Sequence, residues 1–111
     1  MHAYTDEELD AHLPVAVEVF SLLADATRVR IVLALREGEQ SVGVLADEVG
    51  KSQATVSQHL AKLRMSRVVA TRQEGNRVFY RLANQHALEL VEVAFNQAEH
   101  AVEGALRHRD R

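Results

Sequence analysis

The sequence contains no cysteine. That excludes disulfides, thiolate zinc sites and thiol redox chemistry. It contains one proline in 111 residues, which suits one domain, or a small domain with helical extensions. No apolar run approaches the roughly 18 residues that suggest a membrane span. Residues 1–20 show no basic start ahead of an apolar run. Neither a signal peptide nor a membrane span is expected, and the cytoplasm is the expected location. Also missing are a Ser or Cys nucleophile with a base partner and a Gly-rich phosphate loop. The chain does not read as an enzyme.

Apolar residues make up 47% of the chain, enough for a core. A chain this short buries a modest share of its surface, so oligomerisation is expected. The net charge of −3 argues against a nucleic-acid partner until it is divided along the chain. Residues 1–50 carry three Arg and ten acids, residues 51–81 carry seven Lys/Arg and only Glu74, and residues 82–111 carry three Arg and five acids. A basic module lies between acidic ones, and a local positive patch is what meets phosphates.

Periodicity organises the rest. Leu13, Val17, Phe20 and Leu22 or Leu23 recur at helical spacing, with Pro14 near the start of that helix. A second helix begins at Asp25 or Thr27 and is ended by Gly38. Ser41 opens a short helix holding Val44, Leu45 and Val49, closed by Gly50. Ser52 caps the next, whose buried stripe is Val56, Leu60 and Leu63. Two short helices around a tight Gly-containing break make a helix-turn-helix. The period then changes to two: "VVATRQ" and "RVFYRL" flank Glu74-Gly75-Asn76, a β-hairpin pattern. A hairpin directly after a helix-turn-helix is a wing. In the last helix Leu88, Val91, Phe95, Ala98 and Val102 fall on one side, opposite His86, Glu89, Asn96, Gln97 and His100.

The expected fold class is mainly α: a winged helix-turn-helix with a β-hairpin wing and long terminal dimerisation helices. Its parts are a flexible arm over residues 1–9, a dimeric domain over 10–105 and a flexible tail over 106–111. Within the domain, the helix-turn-helix spans 41–65, the wing 68–82 and the terminal helix 84–105. In the stretch "SQATVSQH" Gln53 and Gln58 suit base edges, while Ser52, Thr55 and Ser57 suit bases or phosphates. His59 lies in the same helix. Lys51, Lys62, Arg64 and Arg67 are placed for phosphates, and Arg72 and Arg77 of the hairpin for the DNA backbone or a minor groove. One such unit buries a modest patch on DNA, so a homodimer reading paired half-sites of operator double-stranded DNA is expected.

The stretches "LADATRVRIVLAL", "LADEVGKSQATVSQHLAKLR" and "VVATRQEGNRVFYRL" together resemble the ArsR/SmtB family of metal-responsive winged-helix repressors, over about residues 12–105. The resemblance implies a homodimeric repressor that binds operator DNA when metal-free and releases it when an effector binds. The family's arsenic, cadmium and lead sites use Cys, which this chain lacks. Its zinc-type site on the last helix falls here on Asn84, His86, Gln97 and His100, with amides in two of the four positions. "FNQAEHA" and "RHR" also look like a nickel/cobalt-sensing actinobacterial subgroup. That resemblance implies His86, Glu99, His100 and His108 as ligands, with Arg109 where the subgroup has a further tail His. His2 in the arm, or the terminal amine, completes the shell by analogy with related nickel sensors.

His86 and His100 stand fourteen residues apart, or about 21 Å along a helix, so one helix cannot bring both to one ion. They fall within about 40° of each other around the axis. An antiparallel partner helix would set His86 of one chain beside Glu99 and His100 of the other, making two inter-chain sites. Imidazole and carboxylate donors suit nickel, cobalt and zinc alike. Other readings stay open. The histidines are ordinary solvated residues, or the site is degenerate and the regulator acts independently of metal or through an accessory regulatory protein.

Overall fold

The computed structural model of the protein describes residues 3–109, with side chains described through residue 106. Five helices and three short strands follow one another as α1 (Asp6–Leu23), α2 (Ala26–Ala34), β1 (Gln40–Ser41), α3 (Val42–Val49), α4 (Gln53–Met65), β2 (Val69–Glu74), β3 (Arg77–Leu82) and α5 (His86–Arg109).

Local chemistry sets most of the boundaries. Asp25, Ser41 and Ser52 each place a side-chain oxygen on a backbone N–H three residues on, at Arg28, Val44 and Thr55. Such N-caps are worth about 1 kcal/mol each. Gly50 closes α3 in the left-handed region, at φ 69°, where a Cβ would be strained. α4 ends differently. The Val68 N–H donates to the Leu63 carbonyl at 2.9 Å and the Arg67 N–H to the Arg64 carbonyl at 3.0 Å, a Schellman closure. Its left-handed residue is Arg67, at φ 61°, where glycine is the usual occupant.

α3 and α4 form the helix-turn-helix and β2–β3 the wing. Gly75, at φ 60°, is the first of two turn residues, the position that needs positive φ in a type II′ hairpin turn. The wing is not two strands alone. β1 pairs antiparallel with β3, giving the order β1-β3-β2. Two residues carry too little periodicity to announce a strand, so only the fold reveals β1.

The core is shared by all five helices and the root of the wing. Ile31, Val32, Leu45, Val56, Leu60 and Leu63 are its fully buried side chains. The expected stripes of α3 and α4 are therefore buried, with Val44 as the exception at 42% exposure. α5 enters this core by its first two turns, through Ala87, Leu88 and Val91.

Several expected boundaries differ. α1 begins at Asp6, inside the stretch expected to be a flexible arm. Thr5 accepts from the Glu8 N–H at 3.1 Å, and Asp6, Glu7 and Glu8 fill the first turn, where negative charge complements the helix dipole. Pro14 consequently lies inside α1, at the cost of one backbone hydrogen bond. α2 stops at Ala34, and Gly38, at φ 142°, belongs to the turn after it. α5 starts at His86, two residues later than expected, because the Asn84 side chain accepts from the His86 N–H at 3.0 Å and holds a turn ahead of the helix. It runs to Arg109, through residues expected as tail. Ala105, Leu106 and Arg107 are good helix formers, and nothing there breaks the helix.

Candidate nucleic-acid interface and the terminal-helix histidines

The capping of α4 at Ser52 turns its apolar stripe inward and leaves a polar row outside. Gln53, Ser57, Gln58, Lys62 and Arg64 are exposed along it, and Lys51 and Arg67 are exposed at its two ends. No salt bridge to any of these four basic residues occurs among the described residues, so their charge is available to phosphates. Ser52 and Thr55 are already engaged. Ser52 Oγ accepts from the Thr55 N–H and donates to Thr55 Oγ1. Their first duty is to start the helix.

His59 points elsewhere. It is half-buried, and its Nδ1 accepts from Arg28 Nε at 3.1 Å. The sequence groups it with the base-facing residues because it is polar and follows Gln58. Its place on the wheel, next to buried Leu60, turns it toward α2 instead.

The hairpin arginines are also occupied. Arg72 donates from Nε and Nη2 to both oxygens of Glu39 and from Nη1 to Glu74 at 2.7 Å. Its guanidinium lies 4.8 Å from the centroid of its cross-strand neighbour Phe79, and that of Arg77 lies 5.6 Å from the same ring. The Arg72 hydrogen bonds hold the Glu39 carboxyl below its ordinary range, and those of Glu39 and Glu74 raise the Arg72 guanidinium further above its own. Arg72 must break a bidentate pair to reach a phosphate, whereas Arg77 has no acidic partner among the described salt bridges. Glu39 escaped notice at the sequence level because it sits in a loop 33 residues from Arg72.

The expected metal ligands stand apart within one protomer. His86, Glu99 and His100 are exposed on α5, with His86 at its first turn and the other two nearly four turns on. His2 and the His108 side chain lie outside the described residues. No group of three His, Asp or Glu that could hold an ion forms among the described residues. The donor chemistry suits a borderline divalent ion, but the described residues of one chain do not assemble it. Asn84 is spent on the turn before α5, and Gln97 lines an apolar cleft of about 490 Å³. That cleft lies between the α1–α2 corner and α5, walled by Phe20, Leu23, Val29, Val91 and Ala94. Val93 and Phe95, both exposed, also line it. No helix among the described residues is long and apolar enough to cross a membrane.

Residues 25–71 match the family described as bacterial regulatory protein, arsR family. The chain is 52% identical over 99 residues to the HTH-type transcriptional regulator KmtR of Mycobacterium tuberculosis, covering 89% of this chain and 76% of that protein. It is 38% identical over 94 residues to the HTH-type transcriptional repressor SmtB of the same species, covering 85% and 67%. Among solved structures, the homodimeric winged helix-turn-helix DNA-binding domain from Mycobacterium bovis superposes with a TM-score of 0.73 at 29% identity, covering 89% of this chain and 91% of that one. These relatives are regulators, not enzymes. The chain belongs to the ArsR family of bacterial transcriptional regulators, and its fold is a winged helix-turn-helix.

Proposed function

We propose that this regulator is a homodimeric repressor that binds operator double-stranded DNA and is modulated by a divalent metal, nickel or cobalt in first place and zinc in second. The observation that carries the DNA reading is the outer row of α4: two glutamines and a serine among four basic residues free of salt bridges, on a helix whose other side is core. Bases are read by such short polar groups and phosphates by such cations.

Dimerisation is supported by the apolar surface left on the terminal helices. Leu13, Val17 and Phe20 of α1 and Val93, Phe95 and Val102 of α5 are 48–65% exposed, more than a monomer leaves uncovered without purpose. A dimer also supports the metal reading. His86, Glu99 and His100, with His108 and His2, are the residues proposed to hold the ion, split between two copies. A bound ion would supply a crosslink between two α5 helices. The chain's own part is to couple the spacing of its terminal helices to that of its two reading helices, so that ligands favouring different arrangements oppose one another. A second reading, DNA binding without a metal response, rests on the zinc-type positions, where Asn84 is engaged in starting α5 and Gln97 lines an apolar cleft.

The test is DNA binding by the metal-free protein, titrated with nickel, cobalt and zinc beside His86→Ala and His100→Ala. Both variants should bind DNA as the parent does but lose the metal response. A parent whose DNA affinity no metal changes leaves the metal-independent reading standing. Affinity that does not fall steeply with salt removes the DNA reading itself.

A further inference from the structure

One side chain hydrogen-bonds both the reading helix and the end of α1, in addition to the core they share. Arg28, in the first turn of α2, donates from Nη1 to the Leu22 carbonyl at 3.1 Å and from Nε to His59 Nδ1 at 3.1 Å. Its own backbone N–H is held by the capping Asp25 at 3.0 Å, and the same Asp25 oxygen lies 3.9 Å from His59 Nδ1. Leu22 belongs to the last turn of α1, whose carbonyls have no partner within the helix, and α1 has no basic residue of its own there. A planar guanidinium with diverging donors can serve two acceptors at fixed angles, which a lysine cannot. Here those acceptors are the end of α1 and the middle of α4, in a half-buried setting. Because Nδ1 accepts, neutral His59 carries its proton on Nε2.

We propose that Arg28 couples α1 to α4 and that His59 is the positioning residue through which α4 is held. The proposal rests on the DNA-binding reading above. α1 carries exposed apolar surface for a second copy, α4 carries the reading row, and Arg28 fixes the angle between them. A shift of α1 within the dimer is passed to α4 through this polar link beside the packing of the shared core. His59 thereby governs recognition without touching a base, which separates it from Gln53 and Gln58.

The full chain is tested on a duplex that the parent selects from a random-sequence pool, with a scrambled duplex of equal length beside it. Arg28→Gln and His59→Phe should each lower affinity for the selected duplex roughly tenfold, a loss typical of disturbed base readout. Binding to the scrambled duplex at low salt should be unchanged, since phosphate attraction remains. The double variant should lose no more than either single one, because both remove the same link. Arg28→Lys keeps the charge and should melt like the parent, yet bind the selected duplex as weakly as Arg28→Gln. This separates positioning from folding if Arg28→Gln is unstable. Nitrogen-15 NMR of the parent imidazole should show His59 Nδ1 as an unprotonated acceptor. A protonated Nδ1 overturns the link. Arg28→Lys binding like the parent while His59→Phe is impaired makes His59 a direct contact and overturns the coupling. A parent that binds neither duplex sinks the DNA reading and the positioning role together. A parent that binds while every variant matches it sinks the coupling alone.

Discussion

The middle of this chain and its two ends use apolar residues in opposite ways. Between residues 26 and 82 the stripes close on themselves, and Ile31, Leu45, Val56, Leu60 and Leu63 are completely buried. On α1 and α5 the stripes are as regular, yet Phe20 is 61% exposed and Val102 59%. The molecule is only 21 Å through its thin direction, so the far ends of an 18-residue and a 24-residue helix have little of their own chain to pack against. Helical periodicity therefore identifies a face that needs covering, without saying whether the same chain covers it. The central unit is complete in one protomer, and the terminal helices are not.

That contrast can be broken from the inside first. Leu60→Ala removes a fully buried side chain shared by the helix-turn-helix and its neighbours, and a cavity there costs about 2–5 kcal/mol. Thermal melting should show a large drop, with DNA binding lost through unfolding. Phe95→Glu places a charge on the uncovered face instead. Sedimentation should show dissociation to monomers whose circular dichroism stays helical, and duplex affinity should fall because two linked half-sites become one. If Phe95→Glu instead unfolds the chain as Leu60→Ala does, the ends are not separable from the middle. The smallest effect belongs to Arg67→Gly, at the seam between reading helix and wing. Relief of a left-handed non-glycine residue should raise stability by roughly 0.5 kcal/mol once glycine's entropy is counted. Duplex binding should weaken about equally on all sequences, with the salt slope reduced by about one phosphate contact.

Much of this was legible along the chain. The change from a period near four to a period of two located the wing, and Asp25, Ser41, Ser52 and Gly50 announced helix ends because their side chains, or the lack of one, act within three or four residues. What lay beyond reach was contact between distant positions. Nothing local joins Arg72 to Glu39 or Arg28 to His59, which are 33 and 31 residues apart. Arg72 is expected at DNA from its place in the hairpin and His59 from following Gln58; the fold assigns both to protein partners. α1 was foreseen too short for a related reason. Acidic residues read as a solvated arm until Thr5 is seen to cap them.

The sequence by itself determined the helix-turn-helix, the wing, the basic module and the absence of thiolate chemistry, because each follows from residue type or from spacing along one backbone. Tertiary structure decided which polar groups remain free to act. It occupied Arg72 and His59 and left Gln53, Gln58, Lys62 and Arg64 outside. A side chain's availability depends on what the fold brings within hydrogen-bonding distance, and that is set by packing across the whole chain.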